Sequence, residues 1–416
     1  MPGQFGAGIA GPRRAASATW QTADLASADQ RPGLIAQCRA IAARAGMVGG
    51  ASLHNDLEWL LGRDPARAAD LRLLTFRDGD AAGYAAFLVR RRPLKFQLGE
   101  ITLAQVRLRY HTLSGEPLLV GLEGAARTRA MAGFLDAARA LLRPGDALAF
   151  EGVPVDGTLA RLLDPAPAGF AVTRLGAPFD HQLIDMPADW AAYEAQLGTR
   201  SRKSLRYSRK KLAEHVGGRL EARCFTTPAD LDGFLADSLR ISQKTYQWNL
   251  LGLGLRDQQA LDERLRFAAE RGWLRCYILY CGEVPTAFML GLLHHDTYYY
   301  LDVGYDPDWA KWSVGSVLQV EVMQDLFGLP APPRGFDFST GYGAHKARFG
   351  NLARREANWL LLPAGWRSAA LIGGHRATEA VGAGLSRVLE RYDLKARLKK
   401  LVRGRAVARA EKEAPP

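Results

Sequence analysis

Asp337, His345 and Lys346 place a carboxylate, an imidazole and an ammonium on either side of the turn Gly341-Tyr342-Gly343. A carboxylate or neutral imidazole takes a proton from an attacking hydroxyl or amine, and an ammonium holds an anionic donor. The set therefore reads as group-transfer chemistry. Asp337 lies in Phe336-Asp337-Phe338-Ser339-Thr340-Gly341, a strand end before a glycine turn, where ligand-facing groups gather and where Asp also caps turns. His345 is flanked by Lys346, whose charge depresses the imidazole pKa and keeps the ring neutral, as a base must be. Asp302 closes the aromatic run Tyr298-Tyr299-Tyr300-Leu301-Asp302, where burial raises a carboxyl pKa toward the useful range. A carboxylate held by backbone or arginine is the competing reading. His294 and His295 fall in a hairpin turn and read as exposed turn residues.

Two further stretches suit anions. In residues 306–318, Ser313, Gly315 and Ser316 open a helix whose free N–H groups suit a pyrophosphate, and small side chains allow close approach. A helix start capped by Ser313 is the plainer reading. Residues 200–211 carry seven basic side chains and no acid, and Arg202, Arg206 and Arg209 share one stripe. A solvated face usually mixes signs, so Arg202 and Arg206, with Tyr342 of the glycine turn, are candidate substrate-binding residues facing a phosphate, sugar diphosphate or acidic glycan. No base-reading motif accompanies them, and sequence-specific nucleic-acid binding is not expected.

The elements that must position these groups alternate in kind. Residues 71–77 and 81–89 read as strands joined by Asp78-Gly79-Asp80, a hairpin signal. Strand patterns at 101–107 and 117–122, a helix at 125–142 and a strand at 147–151 follow. The second half opens with helices at 190–197 and 201–216. Strands at 274–280, 284–293 and 297–305 then form an antiparallel meander with tight turns, before a helix at 315–327 and a strand at 335–338. The fold class is α/β (α+β), with two similar mixed units in tandem, each a largely antiparallel sheet flanked by helices. The expected divisions are 1–31 as a flexible leader, 32–170 and 171–365 as the units, and 366–416 as a basic helical tail.

The chain has 416 residues and a formal net charge of +12. That length exceeds what one core usually supports. The charge is concentrated in residues 200–211 and in 385–416, which carry ten basic and four acidic residues, so the body is nearly neutral. The four cysteines are scattered without metal-ligand spacing, which fits a reducing cytoplasm. No apolar run approaches a membrane span.

Residues 273–351 resemble the acetyltransferase superfamily that uses acyl-coenzyme A, and more narrowly its cellulose-biosynthesis-like branch, CelD or BcsL type. The resemblance rests on Ser201-Arg202-Lys203-Ser204-Leu205-Arg206, Gly315-Ser316-Val317-Leu318, Phe336-Asp337-Phe338-Ser339-Thr340-Gly341 and His345-Lys346-Ala347-Arg348-Phe349-Gly350. It implies acetyl-coenzyme A or another acyl-coenzyme A as donor, and a third meander strand that splays from the strand at 335–338. Asp302, Asp337 and His345 would be the catalytic candidates. Ser313, Gly315, Ser316 and Lys346 would hold the donor, and the acceptor would be a hydroxyl or amine of a sugar, polysaccharide or envelope precursor. The superfamily's usual phosphate loop fits no register here, and His345-Lys346 stands where the branch tends to have Tyr-Lys. The branch also resembles the Fem peptidyltransferases, so an aminoacyl-tRNA donor is the alternative enzyme reading. A non-catalytic adaptor of a polysaccharide synthase is the alternative outside enzymes. A cytoplasmic location follows, with the basic tail suited to the inner membrane face or a membrane-bound synthase.

Overall fold

A computed structural model of the chain describes residues 19–47, 50–98, 101–245, 258–341 and 343–391. The first half begins with Trp20–Ala23 (β1), Arg31–Ala45 (α1) and Leu57–Leu61 (α2). It continues through Leu71–Asp78 (β2), Ala81–Leu98 (β3), Ile101–Ser114 (β4), Leu118–Val120 (β5), Gly124–Ala140 (α3), Asp146–Pro154 (β6), Thr158–Leu163 (α4) and Phe170–Arg174 (β7). Asp78 pairs with Ala81, so Gly79 and Asp80 make the two-residue turn, and Gly79 supplies the positive φ that such turns require. The strands β2, β3 and β4 form an antiparallel meander, and β6 joins β4 in parallel.

The second half repeats that order. After Phe179–Asp185 (β8), Trp190–Gln196 (α5), Thr199–His215 (α6), Leu220–Phe225 (β9), Leu231–Gln243 (α7) and Gln258–Glu270 (α8) comes a second meander. Its strands are Cys276–Cys281 (β10), Val284–His294 (β11) and Thr297–Tyr305 (β12). Val314–Phe327 (α9) then leads to Gly335–Asp337 (β13), which lies parallel to β12, and the described chain ends with Ala344–Phe349 (α10), Leu352–Pro363 (β14) and Trp366–Arg391 (α11). Meander, helix and parallel strand thus occur twice. Apart from Val284 and Tyr305 at strand ends, the β-branched and aromatic side chains of the second meander are buried or half-buried on both faces, so it reads as near-continuous apolar runs rather than alternation.

Topology fuses the halves. Among the described residues the main sheet path runs β1-β2-β3-β4-β6-β14-β8-β13-β12-β11-β10-β9, so β14, from the end of the second half, sits beside β6 of the first and β8 of the second. It also pairs with β7. One core packs α3 against β1–β6, with Phe134, Phe150 and Trp359 at its centre; another packs α9 against β10–β13 around Tyr298, Phe336 and Phe338.

The expected leader needs correction at its end. Trp20–Ala23 forms an edge strand on β2, and Trp20 is buried against Phe76 and Phe134 with its indole N–H donated to the Ala130 carbonyl at 2.7 Å. One large aromatic anchors what the Gly-, Ala- and Ser-rich composition marked as unstructured. His294 is corrected too: it ends β11 and is 3 % exposed, packed on Trp273, while His295 occupies the turn with a positive φ. Residues 1–18 and the basic segment 392–416 lie outside the described residues.

Candidate functional site

The two parallel strand pairs differ, and that difference makes the site. In the first half β4 and β6 stay paired over six residues, from Arg109 opposite Asp146 to Ser114 opposite Glu151. In the second half β12 and β13 pair for three, ending at Tyr299 opposite Asp337. Beyond that point β12 leaves β13 and runs on to Tyr305 paired with β11. A bulge at Leu301, between Tyr300 opposite Gly291 and Asp302 opposite Leu290, bends it further. The opening holds a cavity of about 650 Å³, lined by Tyr300, Val303, Gly304 and Tyr305 of β12, by Ser313, Val314, Gly315 and Ser316, and by His345 and Phe349.

Ser313 sits at the cap position of α9 in the left-handed region, with φ 57°, and its side chain makes no cap hydrogen bond. The amides of Val314 and Gly315, the first two of α9, are left for a ligand, while those of Ser316 and Val317 donate to the Ser313 carbonyl; free amides at a helix start favour an anion. Gly315 leaves space: a Cβ there would meet Tyr305 at an ordinary 3.7 Å. The Val303 amide, on the splayed strand, donates to Oδ1 of Asp302 at 2.8 Å. Burial raises the Asp302 carboxyl above its usual range.

Where β13 ends, a chain of buried polar groups crosses the sheet. His181, on β8, shares one ring nitrogen with Asp337 (Nε2 to Oδ1, 2.7 Å) and the other with Glu356 on β14 (Nδ1 to Oε1, 3.1 Å). Arg354 donates to the same Glu356 oxygen at 2.6 Å. Burial alone lowers an imidazole pKa, but the bonds to Asp337 and Glu356 outweigh it and hold His181 at about 9, so the ring is an imidazolium at neutral pH. Burial pushes Asp337 up, and the bond to His181 more than offsets it, leaving the carboxyl below its usual range. Asp337 is thus a fixed anion, and a poor proton acceptor near pH 7.

Asp337 in turn orders the next turn. Its Oδ1 accepts the Ser339 amide at 2.7 Å, and Ser339, held at φ 56°, donates its hydroxyl to the Tyr300 carbonyl at 2.7 Å. That bond ties the β13 end to β12 just past the splay. The Tyr300 hydroxyl shares a 3.0 Å hydrogen bond with Nε2 of His345. Burial, then Lys346, lowers the His345 pKa, and burial raises that of Tyr300. Both groups are neutral at pH 7.

On the far side of this wall lies a larger cleft, about 1070 Å³, walled by both halves. Asp337, Ser339, Thr340 and Gly341 line it, together with His181, Glu356 and, from the first half, His54 and Trp59. The His54 ring opens onto this cleft, and no hydrogen bond to its ring nitrogens is found among the described residues. Burial lowers its pKa, with Asp337 pulling the other way and Arg264 reinforcing the shift, so the ring is neutral and free to accept a proton.

The structure brings Asp337 and His345 to the wall between the cavities, and Ser313, Gly315 and Ser316 to the smaller one. Asp302 lines neither cavity. Lys346 is corrected. It was expected at donor phosphates, yet its ammonium is buried, lines neither cavity, and donates to the carbonyls of Ser339 at 3.2 Å and Thr340 at 3.0 Å. It latches the turn that carries Ser339. Lys346→Met is therefore expected to destabilise the protein by about 1–3 kcal/mol, the cost of two unsatisfied buried carbonyls, in urea denaturation. Arg206 is likewise engaged, donating to Glu194 at 3.0 and 2.5 Å, and Arg209 pairs with Glu321. Arg202 reaches Thr199 at 3.4 Å, and none of the three lines either cavity. Tyr342 lies outside the described residues. Sequence reasoning missed His54, His181 and Glu356, which carry no local motif and meet the Asp337 turn through strand order and the facing of the two halves.

Residues 199–347 match the family model described as an acetyltransferase (GNAT) domain. No curated protein sequence matches the chain. Among solved structures, FemX is similar at 12% identity with a TM-score of 0.55, covering 81% of this chain and 98% of FemX. The C-terminal domain of a putative lysylphosphatidylglycerol synthetase from Agrobacterium fabrum aligns at 15% identity, TM-score 0.47, over 82% of this chain and 96% of that domain. A tandem GNAT protein from the clavulanic acid biosynthesis pathway aligns at 12% identity, TM-score 0.45, over 83% and 99%. Residues 199–347 are thus similar to an acetyltransferase (GNAT) domain, within a longer chain whose fold is similar to that of FemX.

Proposed function

We propose that the protein transfers an acyl group, in the simplest case acetyl, from acyl-coenzyme A to a hydroxyl or amine of a sugar, polysaccharide or envelope precursor. The observation that carries this reading is the pair of cavities meeting at one wall of Tyr300, Ser339 and His345. The donor lies in the opening between β12 and α9, its pyrophosphate on the first amides of α9 and its thioester at the wall. The acceptor lies in the larger cleft. The cellulose-biosynthesis-like branch remains the finer family reading, supported by the motif Phe336-Asp337-Phe338-Ser339-Thr340-Gly341, while His345 departs from the branch's usual Tyr.

The reaction is direct attack. The acceptor's X–H gives its proton to the neutral His54 ring, and the X lone pair forms a bond to the thioester carbonyl carbon. The carbonyl oxygen takes the developing negative charge, and the C–S bond breaks as it collapses. The leaving thiolate receives a proton from the Tyr300 hydroxyl, which His345 supports. Asp337, kept anionic by His181, stabilises the imidazolium that forms on His54. No cysteine takes part: Cys38, Cys276 and Cys281 are buried, Cys224 is exposed on β9 and lines neither cavity, and burial pushes each thiol up. Titrating acetyl-coenzyme A into the full chain tests the donor half of the reading. One-to-one binding supports it, and no binding by folded protein contradicts it.

A further inference from the structure

The cleft assigned to the acceptor is charged, and most of its charge is already committed. Arg92 donates to Glu151 at 2.9 Å, Arg127 faces Glu116 at 3.8 Å, and Arg354 holds Glu356. Glu116 also accepts the Leu159 amide at 2.7 Å, and Asp337 is bound to His181. Arg264, on α8, stands apart. It lines the same cleft, has no carboxylate partner among the described residues, and its Nε is buried without a hydrogen-bond partner. Its guanidinium lies over the ring of Trp59, 4.2 Å from the centroid, and Trp59 is itself buried. Stacking fixes the plane of the fork at the wall of the cleft.

A guanidinium held this way is short of an anion. Leaving a partly desolvated charge without an anion is costly, and the Trp59 contact offsets only part of that cost. Burial, and then repulsion from Arg67, lowers the Arg264 pKa to about 10. Arg264 also lies near enough to His54 to lower that ring's pKa, which places the unpaired cation beside the group that takes the acceptor's proton.

We propose that Arg264, stacked on Trp59, is the recognition point for an oxyanion, a carboxylate or phosphate, carried by the acceptor. This rests on the reading of the larger cleft as the acceptor site. The planar N–H edge suits bidentate pairing with either group, so the acceptor class narrows from any sugar hydroxyl or amine to an anionic one: a sugar acid or a sugar phosphate. The anion would fix the acceptor at one end while His54 meets its nucleophile at the other. A neutral sugar would leave the cation unpaired and bind more weakly.

Arginine modification by phenylglyoxal, mapped residue by residue on the intact protein by mass spectrometry, tests this directly. Arg264 is expected to react in the free protein, and saturating inorganic phosphate or acetate is expected to slow its modification at least about fivefold by mass action. Exposed Arg63, which pairs with Glu270, is expected to react at the same rate with and without anion. Protection by phosphate alone assigns a phosphate-bearing acceptor, and protection by acetate alone a carboxylate. An Arg264 that does not react, or one that neither anion protects, overturns the proposal. Acetyl-coenzyme A titrated into the same preparation separates the two readings. Donor binding without anion protection removes the Arg264 site and leaves the transferase. Protection without donor binding does the reverse.

Discussion

His181→Leu is expected to cost about 3–5 kcal/mol of stability and to abolish acyl transfer. The reason is that two carboxylates, Asp337 and Glu356, are buried at 6 % and 1 % exposure on either side of one imidazolium. Leucine fits the volume but removes the cation, and breaking a buried ion pair by deleting one partner leaves an uncompensated charge. Arg354 still compensates Glu356, so the larger loss falls on Asp337. Asp337 then rises in pKa, and its hold on the Ser339 amide weakens. The wall between the cavities loses its anchor.

The same network sets a pH dependence whose sign is fixed. The folded pKa of His181, about 9, lies above the ordinary value of 6.5. Its stabilisation is therefore fully present below pH 6.5 and is lost as pH rises through 9; the full shift corresponds to about 3 kcal/mol. Asp337 behaves oppositely. Its pKa is depressed, so its contribution is present above the ordinary carboxyl range and is lost as pH falls through the folded value. Urea denaturation from pH 6 to 10 is expected to show wild-type stability declining, with a shallower decline in His181→Leu. Equal slopes would remove His181 from the charge network.

His54→Ala is expected to lower kcat by about 10²–10⁴, the range of a lost general base. The ring faces the cleft and no buried partner depends on it, so stability is expected to change little, which separates this effect from that of His181. Because the His54 pKa is lowered, the wild-type rate is expected to rise with pH below 6.5 and to be level from there to neutrality. Thiol release from acetyl-coenzyme A, with glucosamine 6-phosphate or glucuronate as acceptor, reads both the rate and its pH profile. A variant that keeps the wild-type rate and profile would move the base to His345 or Asp302.

Local chemistry was legible in the sequence wherever neighbours in the chain are neighbours in space. The two-residue turns at Gly79-Asp80 and Gly282-Glu283, the three-strand meander and the aromatic run before Asp302 are of this kind. The bareness of the α9 start was half legible: small residues marked the approach, but only the left-handed Ser313 shows that its side chain does not cap. Asp337 was found, but not its partners. His181 and Glu356 lie 156 and 175 residues from the groups they bind, and strand order, which no periodicity encodes, sets β8 between β13 and β14.

Charge misled for the same reason. Residues 200–211 contain no acid, yet Glu194 on α5 and Glu321 on α9 neutralise Arg206 and Arg209 from neighbouring helices. Lys346 misled because the turn between β13 and α10 folds its ammonium back onto carbonyls only six and seven residues away. Arg264, a cation that faces the cleft without a carboxylate partner among the described residues, lies in a stretch of α8 with no signal of its own.

The central claim is that the donor binds where β12 leaves β13, on the bare first turn of α9. Gly315→Glu isolates that claim. Its Cβ has room beside Tyr305, and a carboxylate in the first turn of a helix favours the helix dipole, so the fold should be kept. The same carboxylate would fill the cradle and repel a pyrophosphate. Calorimetric titration with acetyl-coenzyme A is expected to give one-to-one binding to the wild type, weakened at least about 100-fold, or about 2.7 kcal/mol, in Gly315→Glu. Equal affinity in the two proteins, or no binding to the folded wild type, would contradict the account.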